Sequence, residues 1–208
     1  MILIGQYDSS FVRRCAIAMR IYNLNFDHAP WSTFSDADKI RKYNPLTRVP
    51  TLVLDNGDVL NDSYSIIDYI DGLAPHGKLL MPKLQPERHQ VMAVMSLATG
   101  LADKVVGLFY ELRLHDHPSE TWAARCRTQI TNTLAALEKD RAKREDDYWF
   151  GDRITHADIA VACTMRHLGD SHPDIAAGAN TPALKSHCEK MEAMPAFREI
   201  FQAFIPPA

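Results

Sequence analysis

Apolar and polar positions change their period several times over the first 80 residues. Ile2-Leu3-Ile4 is a short apolar run typical of a buried strand, and between Phe11 and Tyr22 the apolar residues recur at helical spacing. The other elements predicted here are strands at 26–30, 49–54 and 59–60, the last two joined by a turn at Asp55-Asn-Gly-Asp58, and a helix at 63–73. The predicted order is strand, helix, strand, a loop or short helix, two hairpin strands and a helix.

Beyond residue 86 the pattern becomes helical throughout. Ala74-Pro-His-Gly77 and Met81-Pro-Lys-Leu-Gln-Pro86 interrupt all periodicity, so they predict a linker between a domain at 1–78 and an all-helical domain at 86–208. Two long apolar stripes, at 91–112 and 122–137, predict antiparallel helices. Shorter helices are predicted at about 155–169, 181–194 and 195–204, the first opening with the capping-box spacing Thr155-His-Ala-Asp158.

Composition and charge narrow the class of protein. The chain has 208 residues, 46% of them hydrophobic and 24% charged, which is an ordinary globular composition. A net charge of −3 gives no basic excess, so we expect no nucleic-acid partner. The apolar start is too short for a signal peptide, and no uninterrupted apolar run approaches the roughly 20 residues that span a bilayer. The four cysteines lie far apart and form no C-x-x-C pair, so we expect a reduced, cytoplasmic protein with no membrane association.

Three dipeptides carry candidate chemistry, and each has an ordinary structural alternative. Val49-Pro50 opens a predicted strand, where the proline is either an edge device or part of a cis peptide that exposes backbone polar groups to a ligand. Asp62-Ser63 lies where a loop enters a helix, a place suited either to a ligand carboxylate or to simple capping. Ser9-Ser10 lies at the corresponding strand-to-helix junction, where a hydroxyl either caps the helix or contacts an anion or thiolate.

Five segments in order resemble the cytosolic glutathione transferases. In the first half they are Ser9-Ser-Phe-Val-Arg-Arg14, Asn44-Pro-Leu-Thr-Arg-Val-Pro-Thr-Leu52 and Leu60-Asn-Asp-Ser-Tyr-Ser-Ile-Ile-Asp-Tyr-Ile70. In the second half they are Phe150-Gly-Asp-Arg-Ile-Thr-His-Ala-Asp-Ile-Ala160 and Met194-Pro-Ala-Phe197. The resemblance covers essentially the whole chain. It implies a fold of the α/β plus all-α kind, with a thioredoxin-like N-terminal domain and a C-terminal helical bundle.

The resemblance also implies a binding site for glutathione as co-substrate. Val49 before a cis Pro50 would pair its backbone with the cysteinyl part, and Asp62 with Ser63 would hold the γ-glutamyl end. Arg48 matches a position that faces the glycyl carboxylate, and its alternative is an exposed surface arginine. The family has Glu more often than Asp at position 62, and the shorter side chain reaches less far toward the ammonium group.

Three residues compete for contact with the glutathione thiol. Ser9 matches the residue that serine- and cysteine-type members use, such as the zeta, omega and theta-like bacterial classes, whereas Ser10 replaces a common proline. Tyr7 is the third candidate, because tyrosine-type classes use a phenol at the end of this strand. No cysteine occupies residues 9–12, so glutaredoxin chemistry is excluded at this junction.

The implied activity is transfer of glutathione to a small hydrophobic electrophile by a homodimeric enzyme. The alternatives are a zeta-like, glutathione-dependent isomerase and a non-catalytic interaction protein on the same scaffold. Phe109 and Tyr110 are candidates for the electrophile pocket. The histidine spacings match no metal-ligand pair on one helix face, so no metal is expected.

Overall fold

The structure, a computed structural model, describes residues 1–75 and 77–207, so His76 of the predicted linker lies outside the described residues. The chain forms two compact units. The first combines Met1–Met81 with Ala193–Ala208, and the second is Pro82–Glu192. The limits at 1–78 and 86–208 stay a prediction about domains. By its contacts, however, the end of the chain groups with the first unit.

A four-stranded mixed sheet organises the first unit. The elements of residues 1–81 are β1 (Ile2–Ile4), α1 (Ser10–Ile21), β2 (Asp27–Ala29), α2 (Ala37–Arg41), β3 (Thr51–Val53), β4 (Val59–Asn61) and α3 (Ser63–Gly72). The strand order is β2-β1-β3-β4, with β1 parallel to β2 and the other neighbours antiparallel. This is the βαβ–ββα arrangement of a thioredoxin-like sheet, and it confirms the predicted element order.

The two longer helices of this unit bury their apolar faces. In α1 the buried side chains include Val12, Ile17 and Met19, and in α3 the isoleucines Ile66 and Ile70 are fully buried. The helices pack against each other, and α3 also contacts β3 and β4. Helix α1 follows β1 after residues 5–9, and α3 follows β4 after the single residue Asp62, so both helix N-termini lie near strand ends, where the candidate residues are found.

The second unit is entirely helical in its regular structure. Its described helices are α4 (Glu87–Leu114), α5 (Glu120–Arg141), α6 (His156–Ser171), α7 (Pro173–Gly178) and α8 (Pro182–Glu192). The long helices α4 and α5 and the shorter helices α6 and α8 confirm the predicted pattern. The short helix α7 was not predicted, and its start is explained by Pro173, since proline is well suited to the first helical position.

Helix α4 is long and apolar enough, by length and composition alone, to cross a membrane. The adjacent charges of Asp103 and Lys104 break the apolar run, so a search for uninterrupted runs misses it. Half of the most apolar stretch of α4 is buried inside the unit, where α4 packs against α5 and α6. This is the pattern of a core helix.

The capping box predicted at α6 is present. One Asp158 carboxylate oxygen accepts both the backbone N–H and the hydroxyl of Thr155, each at 2.7 Å, and the other accepts the Trp149 backbone N–H at 2.7 Å. Burial raises the pKa of the Asp158 carboxyl group. The motif therefore fixes the loop before α6 as well as the start of the helix.

The last predicted helix is shorter than expected. The spacing predicts a helix over 195–204, but α9 spans Pro195–Glu199 and residues 201–207 have no regular structure. The buried guanidinium group of Arg13 on α1 donates from Nε to the Ile200 carbonyl oxygen at 2.9 Å and from Nη2 to that of Phe197 at 3.0 Å. These bonds use carbonyl groups that a longer helix would need for its own ladder.

Candidate functional site

One open cleft in the first unit brings together five of the residues predicted to bind glutathione. It is lined by Phe11, Asn44, Leu46, Arg48, Val49, Pro50, Asn61, Asp62 and Ser63, and its free space, including the part open to solvent, is about 400 Å³. Arg48, Val49 and Pro50 approach from the loop before β3, and Asp62 and Ser63 from the junction of β4 and α3. Two segments separated in sequence thus share one concave surface.

A buried amide holds the loop that carries Arg48 and Val49. Asn44, only 1% exposed, donates from Nδ2 to the Arg48 carbonyl oxygen and to Thr51 Oγ1, both at 3.0 Å. Its Oδ1 accepts the Leu46 N–H at 2.9 Å. Hydrogen bonds inside the protein therefore hold the shape of this loop.

The Val49–Pro50 peptide bond is cis, as the resemblance implies. Gly5, at the end of β1, lies directly behind Val49 and has a φ of +128°. A Cβ atom built on Gly5 would lie 2.5 Å from Cγ2 of Val12 and 2.8 Å from Cβ of Val49. Only glycine fits between helix α1 and this loop.

Asp62 and Ser63 form the start of α3. Asp62 has a φ of 70°, which is uncommon for a residue with a side chain, and its Oδ1 accepts the Tyr64 N–H at 2.8 Å. The Asp62 side chain is exposed, whereas Ser63 is only 2% exposed. A carboxylate, a hydroxyl group and a helix N-terminus are thus close together. This combination suits a ligand end that carries both an ammonium and a carboxylate group.

The three candidates for contact with a thiol lie on or beside the turn between β1 and α1, and they differ in exposure. Ser9, partly exposed, is the N-cap of α1, and its Oγ accepts the Val12 N–H at a long 3.5 Å. Ser10 Oγ is buried and has no hydrogen-bond partner among the described residues. Tyr7 is partly exposed, and burial raises the pKa of its phenol group. None of the three lines the cleft itself, although Phe11, one residue further along α1, does.

Sequence reasoning missed several residues that shape this site. Asn44, Thr51 and Asn61 lie inside segments that resemble the family but had no predicted role, and Gly5 lies outside them. Thr51 Oγ1 lies 3.0 Å from the Arg48 carbonyl oxygen and 3.3 Å from Asn61 Oδ1, and its single proton can be donated to either, so Thr51 lies between the two sides of the cleft. The Asn-Pro pair at 44–45 was the available signal, since asparagine favours side-chain bonds to nearby backbone.

The second unit holds Phe109 and Tyr110, the two candidates for an electrophile pocket. Phe109 contacts Tyr110 and, edge-on, His172, whose Nε2 lies 3.0 Å from the Val105 carbonyl oxygen. His172 is thus a buried structural residue. Within residues 1–75 and 77–207, no group of three or more His, Cys, Asp or Glu side chains is arranged to hold a metal ion.

Both halves of the chain match one protein family. Residues 3–79 match the glutathione S-transferase N-terminal domain, and residues 120–203 match the glutathione S-transferase C-terminal domain. The chain therefore belongs to the glutathione S-transferase family, with a thioredoxin-like sheet domain followed by a helical domain.

Individual relatives agree with this assignment. The chain is 26% identical to maleylacetoacetate isomerase of Dictyostelium discoideum, over 93% of each chain. A glutathione S-transferase from Methylobacterium radiotolerans, solved in complex with glutathione sulfonate, superposes with a TM-score of 0.88 at 26% identity, covering 100% of this chain and 98% of that one. A family member from Pseudomonas fluorescens with bound glutathione gives a TM-score of 0.80 at 26% identity, covering 100% and 99%.

Proposed function

We propose that the protein is a glutathione transferase that activates the glutathione thiol for attack on a small hydrophobic electrophile. The observation that carries the proposal is the convergence of Arg48, Val49, Pro50, Asp62 and Ser63 on one cleft. Two solved relatives, each 26% identical, hold glutathione or its sulfonate. Family membership and a preformed cleft of suitable chemistry therefore support the same ligand.

The ends of glutathione differ in charge, and so do the sides of the cleft. The γ-glutamyl end would place its carboxylate at the start of α3, against the Ser63 hydroxyl and the helix N-terminus, and its ammonium group toward Asp62. The cysteinyl part would pair with the Val49 backbone, and the exposed Arg48 guanidinium would face the glycyl carboxylate. This orientation directs the thiol toward the start of α1.

Ser9 is the proposed activating residue. In its cap bond Ser9 Oγ accepts the Val12 N–H, so its own hydroxyl proton can be donated to a thiolate, whereas Ser10 Oγ is buried. Lowering a thiol pKa from about 8.5 to about 6.5 requires roughly 2.7 kcal/mol, within reach of one charge-assisted hydrogen bond and a helix N-terminus. The thiol releases its proton to solvent, and the sulfur forms a bond to the electrophile as the leaving group departs with its electron pair.

A glutathione-dependent isomerase is the second candidate, favoured by the maleylacetoacetate isomerase relative that aligns over nearly the whole chain. It would use the same first unit and release glutathione unchanged. Loss of free thiol during turnover indicates transfer, and product formation without thiol loss indicates isomerisation. A non-catalytic interaction protein would show neither activity. We further propose a cytoplasmic homodimer with a role in detoxification, in line with the family.

Glutathione binding measured by calorimetry tests the proposal. We expect binding to the unaltered protein, and Ser63→Ala should weaken it by about 1 to 3 kcal/mol, because the ligand carboxylate loses a buried donor. Ser65→Ala is the matched control, since Ser65 is exposed on the same helix. Absence of glutathione binding by the unaltered protein would refute the function, and equal affinity of the two variants would refute the Ser63 assignment. A panel of electrophiles then identifies the second substrate.

A further inference from the structure

The end of the chain is bonded to both central residues of the turn that precedes Ser9. The turn spans residues 6–9 and is closed by the Ser9 N–H, which donates to the Gln6 carbonyl oxygen at 3.2 Å. The Tyr7 backbone N–H donates to Gln202 Oε1 at 3.1 Å, and the Asp8 carboxylate accepts the Ile205 N–H at 3.0 Å. We call residues 201–207 the C-terminal tail.

The tail is held by buried contacts immediately before it. Arg13 is only 3% exposed, and its guanidinium group holds the carbonyl oxygens of Phe197 and Ile200 at 3.0 and 2.9 Å. Charge-assisted bonds of this kind are stronger than neutral ones. On the surface, Arg20 forms a 2.8 Å ion pair with Glu199, which adds little because both side chains are largely exposed. Arg13 therefore fixes the point from which Gln202 reaches the turn.

Apart from the turn, few contacts fix the orientation of the Ser9 side chain. Its cap bond of 3.5 Å is at the long limit of a hydrogen bond, so the helix alone holds the hydroxyl weakly. The backbone of the turn sets where the Ser9 side chain points, and Gln202 bonds that backbone directly. Ile205 bonds the turn through the Asp8 side chain rather than through its backbone.

We propose that Gln202 is a positioning residue for the glutathione thiol, acting through the 6–9 turn on the Ser9 hydroxyl. The inference rests on the proposed function, because it names a residue that tunes the same site. In this proposal the Gln202 amide oxygen helps to lower the thiol pKa by holding the backbone of the turn. It also separates two roles, since Gln202 lies outside the cleft that would hold the rest of glutathione.

Three variants test the inference. Gln202→Met keeps the length of the side chain but removes the acceptor, and Gln202→Glu retains an acceptor oxygen. Gln90→Met is the matched control, because Gln90 is exposed on α4. The measurements are amide hydrogen exchange of Tyr7, turnover of an aryl halide, glutathione affinity, and the pKa of the bound thiol from thiolate absorbance.

We expect Gln202→Met to speed exchange of the Tyr7 amide, to lower kcat about 2- to 10-fold, and to raise the bound thiol pKa by about half a unit to one unit, the range of one hydrogen bond. Glutathione affinity should change less than about twofold, because ground-state binding rests on other residues. Gln202→Glu should recover most of the turnover, and Gln90→Met should match the unaltered protein.

Two results would overturn the inference in an active protein. One is an unchanged thiol pKa and kcat in Gln202→Met despite faster Tyr7 exchange, which would make the contact purely structural. The other is unchanged Tyr7 exchange, which would show that Gln202 does not hold the turn. Failure of the proposed function is separate, because the unaltered protein would then neither bind glutathione nor turn over, while the exchange experiment would still report on the contact.

Discussion

The imidazole ring of His28 lies flat against the phenol ring of Tyr7, with ring centroids 3.8 Å apart and planes within 2° of parallel. His28 Nε2 is 2.8 Å from the Gly5 carbonyl oxygen, and because that oxygen only accepts, Nε2 carries the ring proton. Burial raises the pKa of the Tyr7 phenol and lowers the pKa of His28. Both rings are therefore neutral near pH 7, and Tyr7 has no tendency to form a phenolate.

Mutation can distinguish the roles of Tyr7 and Ser9 in activating the thiol. Tyr7→Phe keeps the stacked ring, so we expect kcat within about threefold of the unaltered enzyme, while Ser9→Ala should lower kcat about 10- to 1000-fold by removing a donor to the thiolate. Ser10→Ala should change little, because its hydroxyl is buried without a described partner. The check is turnover of an aryl halide, together with the thiol pKa. Loss of activity in Tyr7→Phe with full activity in Ser9→Ala would transfer the role to the phenol.

Gly5→Ala should destabilise the first unit. The added methyl group would lie 2.5 Å from Val12 Cγ2 and 2.8 Å from Val49 Cβ at a φ of +128°, so overlap and backbone strain add together. We expect a loss of about 2 to 4 kcal/mol in the free energy of unfolding, measured in urea. Gly107→Ala is the control, since nothing lies within 4 Å of its added carbon in helix α4, and it should leave stability unchanged or raise it. Equal stability of the two variants would contradict the predicted close packing.

Asp158→Ala should lower the melting temperature without changing glutathione affinity. The carboxylate accepts hydrogen bonds from Trp149 and Thr155 in a fully buried position, so its removal leaves buried donors without an acceptor. We expect a loss of about 2 to 4 kcal/mol. Asp152→Ala is the matched control, because the Asp152 side chain is 97% exposed. Normal stability combined with loss of glutathione binding would show that the motif acts at the binding site.

The stability of the second unit should depend on the protonation of His187. Burial, with the positive charges of Arg141 and Lys190, lowers the His187 pKa from its ordinary value to about 4. The unfolded state then binds more protons than the folded state between about pH 6.5 and 4, so stability is full above this window and is lost as the pH falls through it. Asp158, whose Oδ1 is 3.5 Å from His187 Nε2, works in the opposite direction because burial raises its pKa.

Comparison with the variant His187→Leu separates the effect of His187 from the opposing effect of Asp158. The stability difference between the unaltered protein and His187→Leu should fall by up to about 3 kcal/mol between pH 7 and pH 4, measured by chemical unfolding at each pH. His117→Leu, which removes an exposed histidine, is the matched control. A constant difference for His187→Leu would mean that the His187 pKa is the same in the folded and unfolded states, which would contradict its burial.

The elements of this fold were predictable where a local pattern decides them. The apolar run of β1, the Asp55–Asp58 turn and the apolar stripe of α4 are each visible in a short stretch of sequence, and the structure confirms them. The cap spacing at Thr155 and Asp158 was equally local. The segments that resemble the family also supplied Arg48, Val49, Pro50, Asp62 and Ser63, which line one cleft, while their roles toward glutathione stay a prediction.

Long-range contacts were not predictable from the same patterns. The helical spacing over 195–204 was present, yet Arg13, far away in sequence, holds two of the carbonyl groups that the helix needed. The Asn44–Thr51–Asn61 bonds join segments that only the folded sheet brings together. A sequence shows which groups can bond, and the topology decides which of them meet.

The first unit is built from the two ends of the chain, and this has a consequence for folding during synthesis. The ribosome releases Met1–Met81 long before Ala193–Ala208, so the sheet with α1 and α3 emerges first without the segment that completes it. Until residues 197–200 arrive, the two carbonyl groups that Arg13 holds in the finished protein are missing, and the 6–9 turn has no tail to bind. A nascent chain can thus form the cleft between Arg48 and Ser63 early, whereas the 6–9 turn gains its bond to Gln202 only near the end of translation.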